Sequence, residues 1–383
     1  MTAPRSGAVS PAGHVERGVP LVDLTRVGED ILSGAEAVFA DIARRGAFTF
    51  GEELEAFEEE FAAYCGSCEC VGVSDGTSAL RIALEALGVG PGDEVITVPH
   101  TFVATVEAIS SAGATPVLVD VDPDTRCMDT RRLADALGPR TAAVVPVHLY
   151  GLPAAMDEIL DICGDVPVVE DAAQAHGARI GDRRIGGLGA AGCFSFYPTK
   201  NLGAMGDGGA VTCADPTLAA TMRSLRHHGS DPADANRHVR PGSTARLDNL
   251  QAAILRIKLR RLDGWNEERR DLARRYRQAF DGLPLKLPPE DLPGSSQVFH
   301  LYVVEVDDRD LVRASLREDG IGASTHYPTP VHLQPGWRHL GYGLGDFPCA
   351  ERLANRVLSL PMFPGVTEAE VAHVASALER ALA

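Results

Sequence analysis

Apolar residues along the chain follow two rhythms. Between about residue 70 and residue 213, short β-branched runs alternate with stretches of helical spacing. The runs are 70–74 (CVGVS), 93–99 (DEVITVP), 115–121 (TPVLVDV), 142–149 (AAVVPVHL), 166–171 (VPVVED), 192–196 (GCFSF) and 208–213 (GGAVTC). After the first run, Ala79, Leu80, Ala83, Leu84 and Leu87 recur at helical intervals, which predicts a helix over 78–87. Segments 101–112 and 156–163 read the same way. Nearly continuous apolar strands joined by helical crossovers must be buried on both faces, so the pattern predicts an α/β fold built on a mostly parallel sheet. Polar groups beyond the carboxyl ends of such strands are where a site is expected.

After residue 211 the character changes. Residues 223–249 (RSLRHHGSDPADANRHVRPGSTARLDN) are polar, rich in Arg and His, and without a period, as a functional loop or a partner contact would be. A long helical pattern then runs over 247–280, and 283–293 reads as a Pro-rich connection. The remainder reads as a strand (300–306), a helix (310–319), a polar-aromatic turn (326–332) and a terminal helix (367–383). The expected organisation is an N-terminal extension over 1–20, a large domain over 21–280 and a smaller α+β domain over 281–383.

Composition narrows the function. The 383 residues are enough for two or three domains with a large core. With 36 Lys+Arg against 53 Asp+Glu, the formal net charge of −17 argues against a nucleic-acid or anionic-membrane binder, both of which need positive potential. No apolar run is long enough to span a bilayer, and the first residues lack the apolar centre of a signal peptide, so a cytoplasmic protein is expected. Its eight cysteines are scattered, which fits reduced thiols. The one cluster, Cys65, Cys68 and Cys70, has no second ligand pair at zinc spacing and is read as apolar packing beside a strand; no metal is expected.

Three local features carry candidate chemistry. Residues 74–78 (SDGTS) join a strand to a helix, where glycine permits close backbone approach and the helix start presents unpaired N–H groups to an anion; taken alone, a capped turn with no ligand is the better reading. Residues 168–174 (VVEDAAQ) close a buried strand with an acidic pair. Residues 195–203 (SFYPTKNLG), followed by MGDGG, put a single lysine among small and aromatic residues, where burial favours the free amine. Together they match the needs of one cofactor, pyridoxal phosphate: an amine for its aldehyde, a carboxylate for its ring nitrogen, and Gly/Ser/Thr donors for its phosphate.

In the order and spacing of these motifs the sequence resembles the DegT/DnrJ/StrS family of fold-type I sugar aminotransferases, from about residue 20 to the C-terminus. The resemblance implies a large domain with a mostly parallel seven-stranded sheet and a smaller α+β C-terminal domain. It implies Lys200 as the lysine that links the cofactor, Asp171 as the partner of the ring nitrogen, Gln174 as a contact to the ring hydroxyl and Phe102 as the stacking ring. Gly76, Thr77 and Ser195 match the phosphate donors. The segment 240–253 (RPGSTARLDNLQAA) resembles the family loop that crosses a homodimer interface toward the neighbour's phosphate, but Thr244 stands where the family has asparagine.

Segments 300–306 (HLYVVEV) and 325–335 (THYPTPVHLQP) are most similar to members that aminate nucleotide-linked 3-keto-6-deoxyhexoses. This implies L-glutamate and a dTDP-linked ketosugar as substrates, with Tyr197, Arg246, His326, Tyr327 and His332 as candidate sugar contacts. Other acceptors with the same cofactor residues are C4-ketosugars and cyclitol ketones such as scyllo-inosose. A sugar dehydratase of this scaffold has histidine in place of the lysine, and a non-catalytic regulator would lack the lysine or the aspartate; Lys200 and Asp171 weigh against both.

Overall fold

The computed structural model describes residues 18–26, 28–231 and 233–383. Most of the expected N-terminal extension, residues 1–17, lies outside the described residues. Two helices outside the segments read above, Glu29–Arg45 and Glu52–Cys65, precede the first strand, Glu69–Val73. Each ends at a glycine in the left-handed conformation, Gly46 and Gly66, a position other residues occupy at a cost. The helix Gly76–Ala86 is capped by Asp75, whose carboxylate accepts from the Ser78 N–H at 2.8 Å.

The expected single seven-stranded sheet resolves into two ladders. Thr115–Leu118, Glu94–Thr97 and Thr141–Val144 pair in parallel, in that order. Val169–Asp171, Ala191–Ser195, Gly209–Cys213 and Glu69–Val73 form the other ladder, in which Gly209–Cys213 runs antiparallel to both neighbours. Two isolated parallel bridges, Val144 to Val168 and Val147 to Asp171, span the seam. Pro146 and Pro167 sit beside it and have no N–H to give, so bonds there run to their carbonyls: Asp171 N–H to Pro146 O at 2.9 Å and Val144 N–H to Pro167 O at 3.0 Å.

Side-chain alternation explains the burial of both sheet faces. Val144 joins a cluster with Phe57, Phe61, Phe194 and Phe196, whereas Ala143 and Val145 join one with Val71, Leu80, Ile109 and Met222. A third cluster gathers Tyr276, Phe280, Tyr302, Val304, Leu316, Leu358 and Leu378 around the antiparallel pair Tyr302–Glu305 and Val357–Leu360. The long helix expected over 247–280 is two helices, Asn249–Leu259 and Leu262–Ala279. The break at Arg260 and Arg261 lets the first bury Ala252 and Leu255 in the Phe57 cluster while the second sends Leu272 and Tyr276 into the third.

The polar stretch after residue 223 is partly ordered by its own pairing: a short hairpin pairs Ser230–Asp231 with Asp234–His238, and an isolated bridge joins His227 to Thr244. All eight cysteines are free thiols. Among the described residues no helix is long and apolar enough to cross a membrane, and no group of three or more His, Cys, Asp or Glu side chains is placed to hold a metal ion.

Candidate active site

A cavity of about 600 Å³ opens where the strand ends meet the C-terminal part of the chain. The sequence motifs converge on it: Gly76 and Thr77 from the start of the helix Gly76–Ala86, Phe102, Asp171 and Gln174, Ser195, Tyr197 and Lys200, and His326 and Tyr327 from the C-terminal part all line the wall. The acidic pair divides by strand alternation. Glu170 points into protein, fully buried, and accepts from the N–H groups of Gly186, Leu188 and Gly189, each at 2.9 Å, and from His148 Nε2 at 3.2 Å. Asp171, one residue on, turns to the cavity.

Asp171 is 6% exposed. Its Oδ2 accepts from Thr105 Oγ1 at 2.8 Å and its Oδ1 from the Ala173 N–H at 3.2 Å. Burial raises its pKa, opposed by these two bonds and by Lys200 and His148. A carboxylate held this way gains most from a cationic partner on its cavity side. Lys200 shows the converse: burial lowers its ammonium pKa to about 8, with Asp171 pulling it back up. Its amine is therefore available near neutral pH.

The end of the cavity at Gly76 and Ser195 is shaped by close packing. A Cβ added to Gly76 would lie 2.7 Å from the Cβ of Ser195, and one added to Gly209 would lie 2.5 Å from the backbone of Asp75. Small residues thus bring the helix start, with its free N–H groups, against the Ser195 strand end. Phe102 is 54% exposed for a large apolar ring, with its centroid 5.7 Å from that of Tyr327. Gln174 bridges the two parts of the chain: its Oε1 accepts from the Tyr150 N–H at 2.7 Å and its Nε2 donates to Tyr327 Oη at 3.1 Å. Tyr150 Oη in turn donates to the His326 carbonyl and accepts from His100 Nε2 at 2.9 Å. His326 Nδ1 meets Ser359 Oγ at 2.8 Å, and burial, then Lys200, lowers its pKa to about 4, so the ring is neutral at physiological pH.

Three candidates lie elsewhere. His332 is buried off the cavity wall, its Nε2 3.1 Å from Glu351 Oε1 and its ring against Phe347; the 3-10 turn Val331–Leu333 turns it inward. Thr244 and Arg246 are on the polar loop, away from this chain's cavity. Thr244 Oγ1 meets His228 Nε2 at 2.9 Å, and Arg246 contacts His227 Nδ1 at 3.3 Å and the Phe50 ring. Arg226, counted among the basic groups of that loop, is spent on Glu58 and on the Gly72 carbonyl. Residues not singled out in the sequence also line the cavity, chiefly Thr101, Thr105 and His300. Thr101 lies just before the helix Ala104–Ser111 and Thr105 in its first turn, on either side of Phe102, with their hydroxyls 2.9 Å apart.

The set fits pyridoxal phosphate on structural grounds: a buried carboxylate in want of a cation, an amine tuned toward neutrality, an exposed ring on the wall and a cradle closed by Gly76. Residues 31–379 match the sequence model of the DegT/DnrJ/EryC1/StrS aminotransferase family. The chain is 44% identical over 362 residues to the dTDP-3-amino-3,4,6-trideoxy-alpha-D-glucose transaminase of Streptomyces venezuelae, covering 94% of this chain and 95% of that protein. The crystal structure of DesV from S. venezuelae matches with a TM-score of 0.92 and 44% identity, over 95% of this chain and 98% of that one. The crystal structure of NtdA from Bacillus subtilis, with bound cofactor PMP, matches with a TM-score of 0.88 and 31% identity, over 96% and 85%. With its motifs gathered on one cavity and the match running nearly end to end, the chain belongs to the DegT/DnrJ/EryC1/StrS aminotransferase family and is a pyridoxal-phosphate-dependent transaminase.

Proposed function

We propose that the chain moves an amino group from L-glutamate to C3 of a dTDP-linked 3-keto-6-deoxyhexose, forming an amino sugar for a secondary metabolite such as an antibiotic. The observation that carries this reading is the end-to-end similarity to a transaminase named for a dTDP-3-amino sugar. Bound pyridoxal phosphate supplies an aldehyde for the amine and an electron-withdrawing ring. Lys200 takes up and releases a proton at Nζ, and Asp171 keeps a proton on the ring nitrogen. Gly76, Thr77 and Ser195 hold the phosphate, Phe102 lies against the ring, and Gln174 faces the ring hydroxyl. Tyr197, His326 and Tyr327 face the sugar.

A homodimer accompanies this reading. Leu32, Phe39, Phe48 and Phe50 are exposed, and Phe50 packs 5.2 Å from His227 at the start of the loop that bears Arg246. A second copy is the occupant we assign, with Thr244 and Arg246 reaching its phosphate and substrate. Arg237 and Arg240 are exposed on the same loop and suit a diphosphate. The free thiols and a water-soluble nucleotide substrate fit a cytoplasmic enzyme. The cluster around Tyr276 and the antiparallel pair Tyr302–Glu305 and Val357–Leu360 support a smaller C-terminal domain, and the two ladders counted together give the larger one a mostly parallel sheet of seven strands in which Gly209–Cys213 runs antiparallel.

A substrate panel tests the reading: purified protein, glutamate, and either nucleotide 3-ketosugars, nucleotide 4-ketosugars or free cyclitol ketones, with the aminated carbon located by NMR. Amination at C3 of a dTDP-sugar is the expected result. Turnover confined to a 4-ketosugar or a cyclitol ketone would replace it.

A further inference from the structure

The hydroxyl behind Asp171 has a defined direction. Thr105 Oγ1 is buried and lies 2.8 Å from Asp171 Oδ2, 3.2 Å from the Phe102 carbonyl and 2.9 Å from Thr101 Oγ1. It has one proton to give. The Phe102 carbonyl already accepts from the Thr105 N–H at 3.2 Å, and the carboxylate is both nearer and ionised. The proton therefore goes to Asp171, and Thr101, also buried, donates to Thr105 in turn. The result is a one-way chain, Thr101 to Thr105 to Asp171, in which each bond polarises the next.

The same turn carries Phe102. One short segment thus sets the ring's stacking face and the aim of its nitrogen partner. The two forms of the cofactor depend on that arrangement to different degrees. In its aldehyde form the cofactor would be linked covalently to Lys200, whereas in its amine form it would be held only non-covalently, by the phosphate cradle at Gly76, Thr77 and Ser195, by Phe102 and by Asp171.

We propose that Thr105 is a positioning residue whose hydroxyl, itself hydrogen-bonded by Thr101, keeps the Asp171 carboxylate ionised and aimed so that the amine form of the cofactor stays bound between half-reactions. Thr105 acts through Asp171. A group that merely packs would affect both cofactor forms alike, which makes the two roles separable.

The test loads apoenzyme separately with pyridoxal phosphate and with pyridoxamine phosphate and follows release of each by rapid gel filtration, with the melting temperature of the apoenzyme as a control on folding. For Thr105→Val we expect release of the amine form about tenfold faster than from the wild type, with release of the aldehyde form changed less than about twofold. Thr105→Ser restores both rates, and Thr101→Val, one bond further back, gives a smaller increase of about threefold. Unchanged release of the amine form from Thr105→Val overturns the proposal. So does equal acceleration of both forms without rescue by serine. If Thr105→Val does not fold, Thr101→Val decides: a wild-type release rate for the amine form contradicts the chain.

Discussion

Gly76 and Ser195 are in contact so close that a methyl group on Gly76 would sit 2.7 Å from the Ser195 Cβ. The contact joins a helix start to a strand end 119 positions later in the chain (195 − 76). It closes the end of the cavity where an anion meets free N–H groups, and it requires the residue without a side chain. Gly76→Ala should therefore separate the two elements and weaken cofactor phosphate binding about tenfold or more, with a stability loss of about 1–3 kcal/mol from overpacking. Equilibrium titration of the apoenzyme with pyridoxal phosphate measures the first and thermal melting the second. Wild-type affinity in the variant would show that the close approach serves packing alone.

The Lys200 amine gives a pH prediction with a definite sign. Burial lowers its pKa to about 8, so the reactive neutral form grows as pH rises through that value, from about a tenth at pH 7 to about nine tenths at pH 9. The rate at which apoenzyme takes up pyridoxal phosphate into a visible chromophore should follow this curve. An ordinary exposed lysine would instead still be rising at pH 10. A midpoint above 9.5 contradicts the buried placement of the amine.

Asp171→Asn should keep the fold and retain cofactor while slowing transamination by about two orders of magnitude or more, because an amide cannot hold the ring proton by charge. The amide has one oxygen for these two donors: with Oδ1 kept on the Ala173 N–H, its Nδ2 faces Thr105 Oγ1, which then accepts and turns its own proton to the Phe102 carbonyl or to Thr101. Single-turnover rates and melting curves distinguish the outcomes. Full activity, or loss of folding with no change in the residual folded enzyme's rate, would remove the electronic role from this residue.

The dimer proposal predicts complementation. Lys200→Ala and Arg246→Ala subunits, each inactive, should recover up to about a quarter of wild-type activity when mixed and allowed to exchange, because one shared site per mixed dimer has both groups intact. Sedimentation gives the oligomeric state of the same samples. An active monomer, or no recovery from verified mixed dimers, contradicts a site completed across the interface.

Much of the site is legible in the sequence because its residues sit at element ends, where polar groups stand out against apolar runs. Lys200, Asp171 and the Gly76 turn are of this kind. Period-two alternation separates Glu170 from Asp171, but only the folded chain shows which of the two faces the cavity. Thr105 lies inside a helix, where a threonine carries no local signal; its role comes from a strand 66 residues away. His332 stands in a motif that points to the sugar, yet its direction is set by a 3-10 turn and by Glu351 and Phe347. The strand runs are likewise plain, while the seam in the sheet shows only in the folded chain, where Val144 bridges to Val168 and Val147 to Asp171 beside Pro146 and Pro167. The break at Arg260 and Arg261 leaves the helical period of 247–280 almost unbroken, so it shows only when the two halves are seen to bury different faces.

The most direct measurement is a comparison of kcat/KM for enzyme carrying the amine form of the cofactor, with a dTDP-linked 3-keto-6-deoxyhexose and with scyllo-inosose as acceptors, each in the presence and absence of free dTDP. The account predicts that the nucleotide sugar is preferred by about a hundredfold or more, since contacts to the remote nucleotide hold the keto carbon in place, and that dTDP inhibits competitively. Faster turnover of the free cyclitol ketone, with no inhibition by dTDP, would contradict it.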